Sequence, residues 1–295
     1  MGKPVRFFDI HLVVGADIDV CEQGATDYRN TKEDVSMATV QQLFDLSGRV
    51  AIVTGAGAGL GTTFAEALAE AGASVVCAGR TLAKIEQTAG GLRERGFRAV
   101  AVRTDVTIED DVIALVRRVE QEFGGIDILV NNAGSVTAQP PEALSLADWK
   151  AVLDVNLTGV FVCAREVAKS MIAAGRSGSI INLASIFGLV ASYPVPVTAY
   201  SASKGAVNNL TRDLAAHWAS SSIRVNAIGP GCFPTEMTAG LLSSPEMVKT
   251  IEGRTPMGRI GNPEELKGAI VFLASRASSY VTGQTLYVDG GWTVW

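Results

Sequence analysis

The amino-acid sequence predicts a single-domain α/β protein with a doubly wound, parallel sheet of about seven strands and helices on both faces. Short segments that are apolar throughout recur along the chain from about residue 46, as expected of strands buried on both faces. Amphipathic segments of helical period separate these strands, and strands that alternate with helices pair in parallel. Because nothing resembling a linker interrupts the pattern, residues 46–295 are predicted to form one domain.

The alternation can be followed along the chain, with each strand apolar and each helix amphipathic. Strands are predicted over residues 49–54, 74–78, 99–104, 126–131, 179–184, 223–228 and 285–288. Helices are predicted over residues 60–71, 82–95, 108–123, 146–174, 199–219 and 263–274. The long helix over 146–174 is expected to break near Asn156, and the segment between about 229 and 261 has no regular period.

Composition and charge argue against several function classes. Of the 295 residues, 47% are hydrophobic and 19% are charged, which predicts a well-filled core rather than extensive disorder. The net charge of −5 and the lack of a long basic run argue against a nucleic-acid partner. No apolar run reaches the roughly 18 residues of a membrane span, so no membrane partner is expected.

The cysteines and histidines predict neither a disulfide framework nor a metal site. The four cysteines are scattered and form no C-x-x-C pair, which favours reduced thiols in a cytoplasmic protein. The sequence has only two histidines, His11 and His217, and nothing suggests a Ser-His-Asp triad or a zinc cluster.

A glycine-rich turn over residues 54–61 joins the first predicted strand to the first predicted helix. Glycine permits a tight turn and lets the backbone approach a bulky anion, and the helix start offers N–H groups to a phosphate. In this context the motif predicts a dinucleotide site, although such glycines also serve ordinary tight turns. The expected cofactor contacts here are Gly55, Gly57, Ala58, Gly59, Leu60 and Gly61.

The end of the second predicted strand bears on the choice of dinucleotide. In this fold an acidic residue at that point holds the adenosine ribose hydroxyls of NAD. Gly79 offers no carboxylate to repel a 2′-phosphate, and Arg80 could clamp one. A solvated arginine at a helix start is the simpler alternative. NADP(H) is therefore favoured as cofactor, with NAD(H) as the second choice.

Polar residues also close the third and fourth predicted strands. Asp105 could accept a hydrogen bond from the adenine amino group, or it could simply cap the next helix. The amides of Asn131 and Asn132 could tie neighbouring strands together and shape the floor under the nicotinamide. Alternatively, the two asparagines could simply form an ordinary turn after the strand.

Tyr200 and Lys204 lie four residues apart in a predicted helix and therefore share one face. A phenol titrates near pH ~10, so it is a poor acid or base at neutral pH. A fixed ammonium beside it favours the phenolate and lowers the pKa of the phenol. The pair is a candidate proton donor and acceptor for a reaction that makes or consumes an alkoxide, although many such pairs are ordinary helix surface.

Taken in chain order, these motifs make the sequence similar to the short-chain dehydrogenase/reductase family, in its large tyrosine-dependent group. The similarity also rests on Asn156 in segment 154–157, on Ser185 after a strand, and on segments 226–231 and 288–291. It extends from about residue 46 to the C-terminus and implies a Rossmann-type fold. Residues 232–238 resemble the gluconate 5-dehydrogenase-like branch and are also close to 3-oxoacyl-carrier-protein reductases.

The resemblance implies a role for each member of the predicted catalytic group. Tyr200 would transfer a proton to or from the substrate oxygen, and Ser185 would orient and polarise that oxygen. Lys204 would bind the nicotinamide ribose and lower the pKa of Tyr200. Asn156 would hold a water that links the lysine to solvent. Ser192, in a loop longer than is usual in the family, is a weaker candidate for the serine role.

The resemblance implies further contacts as well. Ala58 stands where many NADP-using relatives carry a basic residue, which weakens the preference for NADP(H). The cofactor contacts implied in addition are Asp105, Val106, Asn132, Ala133, Gly134, Tyr200, Lys204, Pro230, Gly231, Phe233 and Thr235. The implied substrate contacts are Ser185, Phe187, Tyr200 and Cys232, and no metal is expected.

The wall of the substrate pocket is expected to be mostly apolar. It would combine the 190–198 loop, Phe233 and the segment 237–256, which closes as a lid in relatives. Arg254 in that segment could meet an anionic substrate, or it could simply be solvated.

These expectations define one preferred function and two alternatives. The preferred function is an NAD(P)-dependent oxidoreductase, of the alcohol dehydrogenase or carbonyl reductase type, that interconverts a ketone and a secondary alcohol. Its substrate would be a small free molecule, either a keto sugar acid or a hydrophobic ketone. The alternatives are a non-catalytic nucleotide-binding sensor and a 3-oxoacyl-[acyl-carrier-protein] reductase that docks through Arg165, Lys169 and Arg176.

The resemblance also implies a homo-oligomer, either a tetramer or a dimer. Relatives associate through two long helices, here residues 158–174 and 199–219, and through the C-terminal strand. Trp292 and Trp295 would then lie at an interface between subunits.

The N-terminal residues differ from the rest of the chain. Residues 1–45 are interpreted as an N-terminal extension, either a mis-assigned start or a flexible tail, ahead of the catalytic domain over 46–295. The segment that begins at Met37 looks like the ordinary start of a relative, so residues 1–36 are expected to be dispensable.

Overall fold

The structure, a computed structural model, describes residues 38–295. Most of the predicted N-terminal extension therefore lies outside the described residues. The described part begins with a short helix that was not predicted, α1 (Val40–Phe44). Thr39 and Gln42 form a capping box at its N-terminus, in which each side chain accepts a hydrogen bond from the other residue's backbone N–H. Phe44 packs against Phe272, with ring centroids 6.4 Å apart, so this helix lies on the body of the domain.

Seven parallel strands form one sheet in the spatial order β3-β2-β1-β4-β5-β6-β7. Every residue of the central strands β1 and β4 is buried, which explains why these strands are apolar throughout. The predicted seven-stranded parallel sheet is confirmed. The strands are β1 (Val50–Thr54), β2 (Ser74–Gly79), β3 (Ala99–Arg103), β4 (Ile128–Asn131), β5 (Gly178–Leu183), β6 (Ile223–Pro230) and β7 (Thr285–Val288).

Helices cover both faces of the sheet, as predicted for a doubly wound fold. Buried side chains of α2, α3 and α10 form the core on one face, and those of α4, α6 and α7 form the core on the other. The remaining helices are α2 (Leu60–Glu70), α3 (Leu82–Glu94), α4 (Glu109–Phe123), α5 (Leu146–Leu153), α6 (Gly159–Ala173), α7 (Thr198–Trp218), α8 (Ala239–Leu242), α9 (Pro245–Arg254) and α10 (Lys267–Ala274). Within residues 38–295, no helix is both long enough and apolar enough to cross a bilayer.

Most element ends differ from the predicted ones by a residue or two, and three differences are larger. The long helix predicted to break near Asn156 does not break: Asp154–Thr158 forms a single π turn between α5 and α6, and the backbone stays right-handed on either side. The segment without a regular period contains α8 and α9. The helix predicted from residue 263 begins as a 3-10 turn, Pro263–Leu266.

Candidate active site

The candidate site lies at the carboxyl edge of the sheet, where the strand order reverses between β1 and β4. In open parallel sheets this reversal opens a crevice, because the connections from the two strands leave in opposite directions. The glycine turn follows β1, and Asn132 follows β4, so the two motifs meet at the crevice. Asn132 donates to the carbonyl oxygens of Thr54 and Gly55, at 3.0 Å and 3.1 Å, and ties the two strand ends together as predicted.

The glycines of the turn are required by close approach and by backbone conformation. A Cβ atom at Gly61 would lie 2.2 Å from the Gly55 carbonyl oxygen, so only glycine lets α2 start this close to the turn. Gly59 stands at the N-cap of α2 with a φ of 54°, which favours glycine. No side chain caps this helix start, and Gly59 and Leu60 line the crevice, as an anion site would require.

The crevice contains a cavity of about 280 Å³, here called the glycine cleft. Its walls come from the glycine turn, the end of β4, the end of β5, α7 and the segment after β6. Most of the predicted cofactor contacts line it, and the turn and helix start fit a dinucleotide phosphate group. The predicted contacts that line it are Gly55, Ala58, Gly59, Leu60, Asn132, Ala133, Gly134, Tyr200, Lys204, Pro230, Gly231, Phe233 and Thr235.

Five predicted cofactor contacts, Gly57, Gly61, Arg80, Asp105 and Val106, do not line the glycine cleft. Gly61 acts through helix packing, and a Cβ at Gly57 would lie 2.8 Å from the Lys84 side chain. Val106 is buried in the core beneath α4 and α6. Its side chain therefore packs inside the domain and does not face the cleft.

Arg80 and Asp105 lie beside the crevice, at the ends of the adjacent strands β2 and β3. Arg80 is exposed. Burial disfavours the charged form of Asp105, but hydrogen bonds from Thr107 and the charges of Arg80 and Arg103 hold its pKa below the usual range. Asp105 is not the N-cap of α4, since that position is Ile108; it closes a local turn by accepting from the Thr107 backbone and hydroxyl. The capping alternative for Asp105 is therefore wrong.

Tyr200 and Lys204, on the first turns of α7, face the glycine cleft together with Ser185. Lys204 is 4% exposed, and its Nζ atom donates to the Leu183 carbonyl at the end of β5, at 2.5 Å. The Nζ atom lies 5.5 Å from the centroid of the Tyr200 ring. The helix spacing and the strand end thus bring together the three side chains that the sequence predicted to act in common.

The electrostatics of this group differ from the expectation. Burial raises the pKa of Tyr200, and only its interaction with the Ser185 hydroxyl opposes that effect. Burial also lowers the pKa of Lys204 from 10.5 to about 8, because the ammonium is removed from water. The raised pKa of Tyr200 is opposite in direction to the lowering predicted from Lys204.

Asn156 lies in the π turn, fully buried, and its side chain makes three hydrogen bonds to protein partners. Its Nδ2 atom donates to the Ser135 carbonyl at 2.9 Å and to the Ser203 hydroxyl at 3.1 Å, while its Oδ1 atom accepts from the Ser135 amide at 2.8 Å. The extra residue of the π turn turns this side chain inward. Asn156 thus joins the loop after β4 to α7, a contact that sequence spacing did not reveal.

A second cavity of about 420 Å³, here called the apolar cavity, adjoins the glycine cleft. It is lined by the loop before α7, by α8 and α9, and by all four predicted substrate contacts, Ser185, Phe187, Tyr200 and Cys232. Ser185 and Tyr200 line both cavities. Ser192 lines only the apolar cavity, so the geometry favours Ser185 over Ser192 for the serine role.

Two aromatic residues occupy places other than those expected. Phe233, predicted in the pocket wall, is buried against Gly261 and lines the glycine cleft but not the apolar cavity. Trp292, predicted at a subunit interface, is 7% exposed within its own chain and lines the apolar cavity. Trp292 follows a glycine pair far along the chain from the lid segment, so no local pattern signalled its place at the site.

The chain matches known proteins over nearly its whole described length. The family model described as enoyl-(acyl carrier protein) reductase matches residues 55–293. A solved short-chain type dehydrogenase/reductase from Mycobacterium marinum superposes with a TM-score of 0.84 at 41% identity, covering 86% of this chain and 99% of that one. The chain belongs to the short-chain dehydrogenase/reductase family. The family resemblance inferred from the motifs is thereby confirmed, and the protein is an NAD(P)-dependent oxidoreductase.

Relatives within the family carry named activities. Gluconate 5-dehydrogenase of Gluconobacter oxydans is 44% identical over 252 residues, covering 85% of this chain and 97% of the relative. Cis-4-hydroxycyclohexanecarboxylate dehydrogenase of Sinomonas cyclohexanicum is 46% identical over 246 residues, covering 83% and 96%. A gluconate 5-dehydrogenase from Burkholderia cenocepacia J2315, solved with NADP and tartrate, superposes with a TM-score of 0.84 at 43% identity, covering 87% and 100%.

Proposed function

We propose that the protein interconverts a secondary alcohol and a ketone, with NADP(H) held in the glycine cleft and the substrate in the apolar cavity. The observation that carries this proposal is the position of Ser185 and Tyr200 on both cavities, where a reacting oxygen could reach both hydroxyl groups. When bound, the nicotinamide cofactor supplies or accepts the hydride, and its oxidised form adds a positive charge.

The side chains of the site manage the substrate oxygen and its proton. Tyr200 donates a proton to the developing alkoxide when a ketone is reduced and accepts one when an alcohol is oxidised. The Ser185 hydroxyl donates a hydrogen bond to the same oxygen and holds it near the phenol. Lys204, anchored on the Leu183 carbonyl, lines the cleft and is available to the nicotinamide ribose. Asn156 holds the loop after β4 against α7. In this proposal it also holds a water molecule that links Lys204 to solvent.

The role of Tyr200 is tested with the variant Tyr200→Phe, which removes the hydroxyl and keeps the ring. Oxidation of gluconate, galactitol and cis-4-hydroxycyclohexanecarboxylate with NADP⁺ is followed by nicotinamide absorbance. We expect the variant to lose about 10²–10⁴-fold in kcat on any substrate that the wild type oxidises, with cofactor binding retained. Tyr193→Phe is the matched control, since Tyr193 also lines the apolar cavity but not the glycine cleft. Equal losses in both variants would contradict the proposal.

NADP(H) is the preferred cofactor in this proposal because the end of β2 offers Arg80 and no carboxylate. Three solved relatives that superpose with TM-scores of 0.79 or above are described with bound NADP, which supports the same choice. We expect NADPH to bind at least tenfold more tightly than NADH, and Arg80→Ala to remove most of that preference. Arg98→Ala is the control, because Arg98 lies just before β3, at the amino ends of the strands, whereas Arg80 lies at their carboxyl ends. Equal binding of the two cofactors to the wild type would refute the role of Arg80.

The substrate in this proposal is a small free molecule of the sugar-acid, polyol or cyclic hydroxy-acid type, as the names of the relatives suggest. An acyl-carrier substrate is less well supported, because the basic residues proposed for docking already have partners. Arg165 pairs with Glu109 and Glu166, Lys169 pairs with Glu166, and Arg176 donates to a backbone carbonyl. A non-catalytic nucleotide sensor is also less well supported, because nucleotide binding alone does not require the proton-transfer group Ser185, Tyr200 and Lys204.

We propose further that the protein is a homotetramer, with a dimer as the alternative, and that it acts in the cytoplasm. Support comes from apolar side chains exposed on the expected interfaces, Phe161 and Ile172 on α6 and Leu286 on β7. Free, buried thiols at Cys77 and Cys163 are compatible with a reducing compartment. Sedimentation velocity measures the oligomeric state, and a monomer at micromolar concentration would contradict this part.

A further inference from the structure

The apolar cavity has one formally charged residue, Arg254, among its lining residues in the described chain. Most of the other lining side chains are hydrocarbon or aromatic, among them Val136, Phe187, Met237 and Leu241. The Thr238 hydroxyl, which also lines the cavity, is already bonded to the Phe233 carbonyl at 2.7 Å. A ligand in this cavity therefore meets an apolar surface with a single cation at its wall.

Arg254 is held in place by neighbours that leave most of its N–H groups available. It is the last residue of α9, and its Nη1 atom donates to the Tyr193 carbonyl at 2.9 Å. Its guanidinium carbon lies 4.7 Å from the centroid of the Trp292 ring, in cation–π contact. No carboxylate within residues 38–295 forms an ion pair with it. A planar guanidinium held in this way suits an anionic group of a ligand.

Trp292 supports Arg254 with the face of its ring. Its residue is 7% exposed, and its Nε1 atom is buried with no hydrogen-bond partner among the described residues. Because this atom has almost no accessible surface, it faces the surrounding protein and not the open cavity, so what Trp292 offers Arg254 is its ring. The turn that carries Trp292 is itself ordered by Asp289, whose carboxylate accepts from the Gly291 amide and the Thr293 amide and hydroxyl.

We infer that Arg254, held against the Trp292 ring, binds the carboxylate of the substrate, and that a hydrocarbon body spans the space between Arg254 and Tyr200. The inference rests on the proposed function, and it narrows the substrate to hydroxy or keto carboxylic acids with an apolar body. A polyhydroxylated acid such as gluconate would bury several hydroxyl groups against a mostly apolar wall that offers few hydroxyl partners, among them Ser192 and Tyr193, which disfavours it. A neutral alcohol would leave the Arg254 cation without an anionic partner.

The binding of the carboxylate is tested without turnover, by calorimetric titration of the NADP⁺-saturated enzyme with cyclohexanecarboxylate. This probe has no hydroxyl to oxidise, and cyclohexanecarboxamide is its neutral counterpart. We expect the wild type to prefer the carboxylate at least tenfold, and Arg254→Gln to abolish that preference. Arg254→Lys retains part of it, and Trp292→Phe weakens carboxylate binding several-fold while keeping an aromatic ring. Lys249→Gln is the control, because it removes an equal charge from an exposed position on the same helix.

The inference is overturned if the wild type binds the carboxylate and the carboxamide equally, or if Lys249→Gln and Arg254→Gln have equal effects. Turnover then separates it from the proposed function. We expect kcat/KM for cis-4-hydroxycyclohexanecarboxylate to exceed that for cyclohexanol and for gluconate by at least tenfold in the wild type. If cyclohexanol is oxidised as well as the acid, the function stands and the carboxylate site is wrong. If no alcohol is oxidised but Arg254-dependent binding persists, the site stands and the function is wrong.

Discussion

Replacing Lys204 with methionine should stabilise the folded protein at neutral pH while abolishing activity. Lys204 is 4% exposed and makes one hydrogen bond, to the Leu183 carbonyl. Burial lowers its pKa from 10.5 to about 8, so the folded protein holds the ammonium in an environment that disfavours its charge. Methionine fills a similar volume without that charge.

The magnitude follows from the weaker proton binding of Lys204 in the folded protein. Each tenfold loss in proton affinity corresponds to about 1.4 kcal/mol, so keeping Lys204 protonated in the fold costs about 3 kcal/mol at neutral pH. Loss of the hydrogen bond to the Leu183 carbonyl offsets roughly 1 kcal/mol of this. We therefore expect Lys204→Met to raise the free energy of unfolding by about 2 kcal/mol at pH 7.

The pH dependence has a definite sign. Below pH 8 the folded and unfolded wild-type chains both carry the Lys204 proton, and the whole cost is present. Between pH 8 and 10.5 the unfolded chain binds more protons, so the stability of the wild type rises with pH relative to that of the variant. The advantage of the variant should shrink through this window, vanish before its upper end and then reverse, because the loss of the hydrogen bond to the Leu183 carbonyl remains when the charge cost is gone.

Urea unfolding without cofactor, at a series of pH values from 7 to about 10.5, measures this difference. The control is Lys249→Met on the exposed side of α9, for which no pH-dependent difference is expected. A Lys204→Met variant that is less stable than the wild type at pH 7, or whose advantage does not change with pH, would refute the reasoning.

Three further predictions concern packing, thiol reactivity and the chain start. Gly61→Ala should destabilise the protein by about 2–3 kcal/mol, because the new Cβ would lie 2.2 Å from a carbonyl oxygen. Gly91→Ala is the control: nothing lies within 4 Å of its new Cβ, so it should stabilise α3 slightly. Urea unfolding distinguishes the two variants, and equal effects would count against the packing argument. Burial raises the pKa of Cys77 and Cys163 to about 12. At pH 8 both thiols should therefore resist iodoacetamide in the folded protein and react after unfolding, which peptide mass spectrometry measures. Rapid alkylation of the native protein would contradict this prediction. A chain that begins at Met37 should retain full activity and stability, and a large loss of either would show that the preceding residues are needed.

The arrangement of strands and helices and the catalytic group could be predicted from sequence because they depend on local patterns. Apolar runs and helical periods fix which segments are buried, and the order of alternation leaves few topologies for a parallel sheet. The spacing of Tyr200 and Lys204 defines a shared helix face without reference to any other part of the chain. Ser185 was identified through the family resemblance, which includes a serine directly after this predicted strand.

Features that depend on contacts between distant segments were decided only by the tertiary structure. The lowered pKa of Lys204 arises from burial by the surrounding fold, and the indole of Trp292 reaches the apolar cavity because its turn packs beside α9. Asn156 faces Ser135 and Ser203 because a π turn adds a residue that no periodicity reveals. Sequence by itself determined the fold, through local patterns, and the family, through its motifs, and it predicted the reacting groups. The charge and shape that select a substrate emerge only when separate elements close on one another.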